Sequence, residues 1–90
     1  MKHVLKSHPE FFRASWRGFK PFEIRKNDRN FEPMDEIVLQ EWDPDLPNVD
    51  DEAERYTGRE IEGFINYVTH YQQDEGYVVF SFEETRRTEG

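Results

Sequence analysis

Between Gly18 and Arg29 the chain crowds Lys20, Glu23, Arg25, Lys26, Asp28 and Arg29 into one short, turn-rich span. These residue types at this spacing suit two kinds of chemistry. Lys20 and Arg25 can hold a phosphate or a base carbonyl, the Arg offering a planar bidentate fork, while Glu23 can accept hydrogen bonds from the amino edge of a base. Alternatively, Lys20 and Glu23 can act as a general acid–base pair on a reacting bond. The plainer readings are a structural Lys20–Glu23 ion pair and a solvated turn. In the latter, Arg25, Lys26 and Asp28 form surface salt bridges worth under about 1 kcal/mol each.

The cluster stands out because the rest of the chain is acidic. There are 20 Asp and Glu against 12 Lys and Arg, a formal net charge of -8 over 90 residues. That balance opposes general phosphate-backbone binding, which relies on an excess of Lys and Arg, but leaves room for a local basic pocket. The acidic residues concentrate between Asp43 and Glu54. Such a segment aids solubility and attracts basic partners, which raises a second function class: an acidic interaction protein that occupies a host protein's nucleic-acid site. The two classes separate cleanly. The interaction reading makes binding depend on residues 43–54 and not on Lys20; the nucleotide reading reverses this.

Other chemistries fall away. The chain has no Cys, which removes disulfides, thiol catalysis and thiolate metal sites and suits the cytoplasm. His3, His8 and His70 match no metal-ligand spacing, with His3 the one that borders a cleft. The Asp-rich segment lacks the Gly and terminal Glu of an EF-hand loop. No metal or cofactor is expected. No apolar run approaches the roughly 20 residues of a membrane span, and residues 1–6 lack the apolar region of a signal peptide.

The elements that must position the cluster fit one small α+β domain over residues 1–84, with a charged, frayed tail at 85–90. Residues 3–6 alternate and read as a short strand. Pro9 suits a first helical turn, Phe11, Phe12, Ser15 and Trp16 follow at helical spacing, and Gly18 is a C-terminal stop. Residues 22–25 read as a strand with Phe22 and Ile24 inward and Glu23 and Arg25 outward. Residues 36–42 form a strand, 43–55 a long loop, and 59–71 and 77–82 two strands joined by a hairpin connection. One helix cannot cover both faces of a five-stranded sheet, so the fourteen aromatic residues are better buried if the sheet curls into a small barrel with the helix at one end. Trp42, ending the third strand, is either a core aromatic or a platform on which a base stacks.

Several runs resemble a family of small phage and bacterial proteins of unknown function. They are His3-x-Leu5-Lys6, Pro9-Glu10-x-Phe12, Gly18-x-Lys20-x-Phe22-Glu23-Ile24-Arg25-Lys26-Asn27-Asp28-Arg29, Tyr56-Thr57-Gly58-Arg59 and Gly76-Tyr77-Val78-Val79. That family is classed with ASCH domains of the PUA-like superfamily. The resemblance implies a pseudo-β-barrel of five to six strands with one N-terminal helix. It also implies a cleft floored by Gly18-x-Lys20-x-x-x-x-Arg25, in a superfamily whose members bind RNA or modified nucleosides; we expect the cleft to be built from Lys20, Glu23 and Arg25, supported by Lys6 and Asp28, and to take RNA or a nucleotide-like ligand. One ASCH branch hydrolyses acetylated cytidine with a Gly-x-Lys-x-x-Thr-x-Arg pattern and a later Glu. Carried over, Lys20 and Arg25 match, but the Thr nucleophile position is Glu23, and Glu60 and Glu62 both compete for the later carboxylate. Pro33-Met34-Asp35 stands where relatives have Gly before the Asp, so a turn requiring positive φ falls on Met34 or is rebuilt.

Overall fold

The computed structural model describes all residues from Met1 to Gly90. Five strands and one α-helix run in the order β1 (Lys2–Ser7), α1 (Pro9–Trp16), β2 (Phe22–Lys26), β3 (Glu36–Trp42), β4 (Tyr56–Thr69) and β5 (Tyr77–Glu89), with a 3-10 turn at Glu52–Arg55 before β4. The strands form one sheet in the order β1-β3-β4-β5-β2. β1 pairs parallel with β3, and the other pairs are antiparallel.

β1 and β2 lie at opposite ends of that order, yet Arg25 Nη2 of β2 donates to the Lys6 carbonyl of β1 at 2.9 Å. The sheet therefore curls until its two edges approach, giving an α+β half-barrel with an open seam between β1 and β2. Two register shifts in the β4–β5 ladder, at Glu62/Gly63, where Thr85 of β5 is the extra residue, and at Ile65/Tyr67, where Asn66 of β4 is, bend the sheet. Gly63 is required at the first: a Cβ there would lie 2.2 Å from the Glu83 carbonyl oxygen. Ten buried apolar residues fill the concave side, among them Leu5, Phe31, Ile37, Leu39, Ile61, Ile65 and Phe80. Phe12 of α1 belongs to the same cluster, with Trp16 packed against it. No helix is long and apolar enough to cross a membrane.

The helix stops where the sequence indicates. Gly18 takes φ +81°, Gly18 N–H bonds to the Ser15 carbonyl and Phe19 N–H reaches back to Ala14, the paired bonds of a Schellman motif. This stop delivers Lys20 beside the helix end, where Ser15 Oγ donates to its carbonyl at 2.9 Å. Met34 takes the turn with φ 75°, one of the two outcomes its Pro-Met-Asp setting allowed.

Two expectations need correction. Residues 85–89 are not frayed: they belong to β5, where Arg86, Arg87, Thr88 and Glu89 pair with Glu62, Ile61, Glu60 and Arg59. Backbone pairing with a long partner strand outweighs the polar composition that pointed to fraying. The long strand β4 also starts earlier and ends earlier than expected, at Tyr56 and Thr69.

Candidate functional site

β2 faces the opposite way from its expected phase. Glu23 lies opposite Phe80 and Arg25 opposite Val78, both core residues, so the charged row points into the half-barrel. Phe22 and Ile24 point outward and are 37% and 55% exposed. Glu23 is 3% exposed. A carboxylate can sit there only with full compensation, because an isolated buried charge is very costly.

The compensation is local and two-sided. Lys20 Nζ contacts Glu23 Oε2. Arg25 Nε donates to Glu23 Oε1 at 2.9 Å, and Arg25 Nη2 lies 2.8 Å from the same oxygen. Lys20 Nζ also lies 3.3 Å from Ser15 Oγ, and Arg25 Nη2 spans the seam to Lys6. The pairing leaves capacity over. Arg25 Nη1 has no protein partner, one Lys20 N–H is unused, and Glu23 Oε2 retains a lone pair. These groups border a recess of about 210 Å³ at the seam. Ser7, His8 and Phe11 complete its wall, with the Lys6 backbone at its edge.

The remaining expected site residues distribute unevenly. Lys6 reaches the recess, but its ammonium lies over the Trp42 ring at 4.1 Å. Trp42 is buried at 9% exposure, donates from Nε1 to the Glu52 carbonyl and meets the His8 ring edge-on at 5.5 Å. It is therefore a packed aromatic at a strand end and is not among the recess-lining residues. The exposed ring at the recess is Phe11, 51% exposed. Sequence reasoning placed Phe11 only on the helix face; its neighbour Phe12 occupies the core position, which was the available signal. Asp28 is exposed beyond β2 and lines a neighbouring hollow with Arg25, not this recess. His3 is buried away from it, with Nε2 2.8 Å from Asp35 Oδ2 and its ring against Phe31. Glu60 accepts from Gln40 Nε2 and Glu62 lies 3.7 Å from Arg86, so neither reaches Glu23. The largest hollow, about 390 Å³, lies across β3 and β4 between Lys2, Glu36, Glu62 and Phe64 and lacks a comparable charge cluster.

A family model described as a domain of unknown function, DUF3850, matches residues 2–82. The chain belongs to the DUF3850 family. It is also similar to an "Uncharacterized 12.9 kDa protein in GpA 3'region" of Escherichia phage P2, with 36% identity over 67 residues. That match covers 74% of this chain and 53% of the phage protein, so the chain spans about half the length of the relative. A small family of unknown function with a phage member is therefore what the chain's sequence runs lead to.

This DUF3850 domain holds a second buried carboxylate, which the sequence reading did not single out. Glu41 is 2% exposed. Arg59 clasps it with Nε on Oε1 and Nη2 on Oε2, each at 2.9 Å. Thr57 Oγ1 donates at 2.8 Å and Arg13 Nε lies 3.5 Å away. Burial pushes the Glu41 carboxyl up, but the hydrogen bonds from Arg59 and Thr57 and the nearby cations outweigh it and hold it below its ordinary range. Asp35 is likewise lowered, first by its hydrogen bond with His3 and then by the Glu32 N–H, against burial. The Arg59 guanidinium also lies 5.0 Å from the Trp16 ring, and Arg87 covers Trp16 at 4.1 Å. Together these contacts fasten α1, and with it Ser15 and Phe11, to the sheet. Nowhere do three His, Cys, Asp or Glu side chains converge in a way that could hold a metal ion.

Proposed function

We propose that the seam recess binds a nucleotide-like ligand, RNA in particular, and that the domain is an ASCH-related, PUA-like binding module. The observation that carries this is the leftover capacity around Glu23. Arg25 Nη1 and Lys20 offer unpaired donors, Glu23 offers an acceptor, and Phe11 stands exposed beside them. Donors suit a phosphate or base carbonyl, the carboxylate suits an amino edge, and an exposed ring suits stacking on an unpaired base. The resemblance to ASCH domains supports the same reading, because Lys20 and Arg25 occupy the positions of the family's Lys and Arg.

The same geometry weighs against an amidohydrolase. The Thr position is Glu23. Ser15 Oγ, the hydroxyl in contact with Lys20 Nζ, is buried and donates to the Lys20 carbonyl. Lys20 is held by Glu23 and is not free to act as a base toward it.

A second reading has one observation of its own. Arg55 donates to the carbonyls of Pro44, Leu46 and Val49, fixing the acidic loop in shape. Asp45, Asp50 and Glu54 form no ion pair there. A shaped acidic surface suits a basic protein partner through residues 43–54.

A thermal-shift and amide-NMR titration with nucleosides, acetylated cytidine, nucleoside monophosphates and short single-stranded RNA tests the first reading. Shifts centred on Lys20, Glu23 and Arg25 that vanish in Lys20→Ala support it. No response to any of these compounds rejects it and turns attention to a protein partner for the loop.

A further inference from the structure

The seam continues past Arg25. A second hollow, of about 180 Å³, shares Arg25 with the first and is displaced along the strands toward Leu5 and Lys26. Its apolar lining is Leu5 and Phe31, both buried. Its polar rim is Lys26, Arg29 and Asp28. Lys26 and Arg29 make no side-chain hydrogen bond or ion pair, although acids outnumber bases 20 to 12. Lys2, Lys6 and Arg17 are also without an ion pair, but only Lys26 and Arg29 line one hollow together. Two unpaired cations over an apolar floor match one nucleotide: a base or sugar against Leu5 and Phe31, a phosphate at the rim.

Arg25 stands between the two hollows. Its Nε and Nη2 are committed to Glu23 and Lys6, so its fork is fixed, while Nη1 has no protein partner. We infer that the seam takes a single-stranded polynucleotide across Arg25, one nucleotide in each hollow, with the linking phosphate on Arg25 Nη1. This rests on the reading of the first hollow as a nucleotide site. Each hollow is smaller than the roughly 300 Å³ at which small-ligand pockets begin, so each suits part of a longer ligand better than a whole free one. A duplex keeps its bases stacked inside and would bring a wide phosphate surface against a chain of net charge -8. A single strand can splay its bases into narrow recesses and meet the protein only along the cationic seam.

Fluorescence anisotropy and calorimetry on the full chain would compare adenosine and uridine 5′-monophosphates with oligo(A) and oligo(U) hexamers and their deoxy counterparts. The same set would be run on the Lys26→Glu/Arg29→Glu double variant. The wild type is expected to bind at least one hexamer about tenfold or more tighter than the matching monophosphate, as added charge-assisted contacts allow. The double variant loses that gain and keeps monophosphate binding. Its slope of log affinity against log salt flattens by about 0.7 per cation removed. Should the reversed charges unfold the domain, Lys26→Gln/Arg29→Gln gives the same comparison. A hexamer that binds no tighter than a monophosphate, or a double variant that weakens both equally, overturns the extended seam and leaves the first recess intact as a nucleotide site. Failure of both monophosphate and hexamer to bind overturns the nucleotide reading itself, and the extended seam with it.

Discussion

Glu23 and Glu41 are both buried glutamates held by an arginine, and the difference between them is what they face: Glu23 borders a recess and Glu41 does not. Around Glu41, Arg59 uses Nε and Nη2, one on each carboxylate oxygen, Thr57 adds a hydroxyl, and the aromatic rings of Phe12 and Trp16 lie against the guanidinium. Arg59 Nη1 has no protein partner either, but Glu41, Thr57 and Arg59 border no hollow, and the work of the cluster is to hold helix to sheet. Around Glu23, Arg25 keeps Nη1 free, Lys20 keeps a donor, and both border a recess at the seam. A buried ion pair alone is weak evidence for a site. Spare hydrogen-bonding capacity facing an opening is the stronger sign.

The comparison breaks most visibly through stability. Arg59→Met removes the clasp and leaves Glu41 buried without its main partner, a change that costs about 3 kcal/mol. In a domain of this size that lowers Tm by roughly 12–24 °C, readable by circular dichroism. Lys20→Ala should cost clearly less, because Arg25 still holds Glu23.

Acid sharpens the same contrast. The folded-state carboxyls of Glu41 and Asp35 lie below their ordinary values, so each stabilises the fold above the unfolded pKa. That stability is lost as pH falls through the lowered folded value. Urea melts should show stability level near neutrality and declining below about pH 4. The deficit of Arg59→Met should narrow over that range, because the wild type loses its pair there. A deficit that stays constant from pH 7 to about pH 3 would separate Glu41 ionisation from Arg59's contribution.

Binding variants come next. Lys20→Ala should weaken the best-binding nucleoside monophosphate about tenfold or more, the loss of one charge-assisted hydrogen bond. Phe11→Ala should weaken it about fivefold through lost stacking while shifting stability by less than about 0.5 kcal/mol, since the ring is exposed. If Phe11→Ala leaves affinity unchanged, the exposed ring is not a stacking platform. The smallest effect should come from Asp50→Asn/Glu54→Gln in the acidic loop, with nucleotide affinity within about twofold of wild type, as for surface changes remote from the site. A large loss there would move the site to the loop.

Much of the scaffold was readable because its signals are local. Pro9 and Gly18 bound the helix through their own backbone chemistry, and Ile37, Val38 and Leu39 mark a buried strand. The site was half-readable. Lys20, Glu23 and Arg25 stood out by charge and spacing, but the alternation in Phe22-Glu23-Ile24-Arg25 defines two faces without saying which is inside. Hydrophobicity assigned the wrong one, because the inner row here lines a seam where charges compensate one another. Glu41 was invisible because its partners Thr57 and Arg59 come 16 and 18 residues later. The strand at 85–89 was hidden for a related reason: its order comes from pairing with Arg59–Glu62, not from its own composition.

The most direct test follows the arginine side chains by NMR, using the Nε–Hε signals of Arg25 and Arg59 while a nucleoside monophosphate or a short RNA is added. The Arg25 signal should move on titration and the Arg59 signal should stay in place. A static Arg25 signal at saturating ligand, or equal movement of both, would contradict the claim that ligand enters at the seam recess and not at the Glu41 cluster.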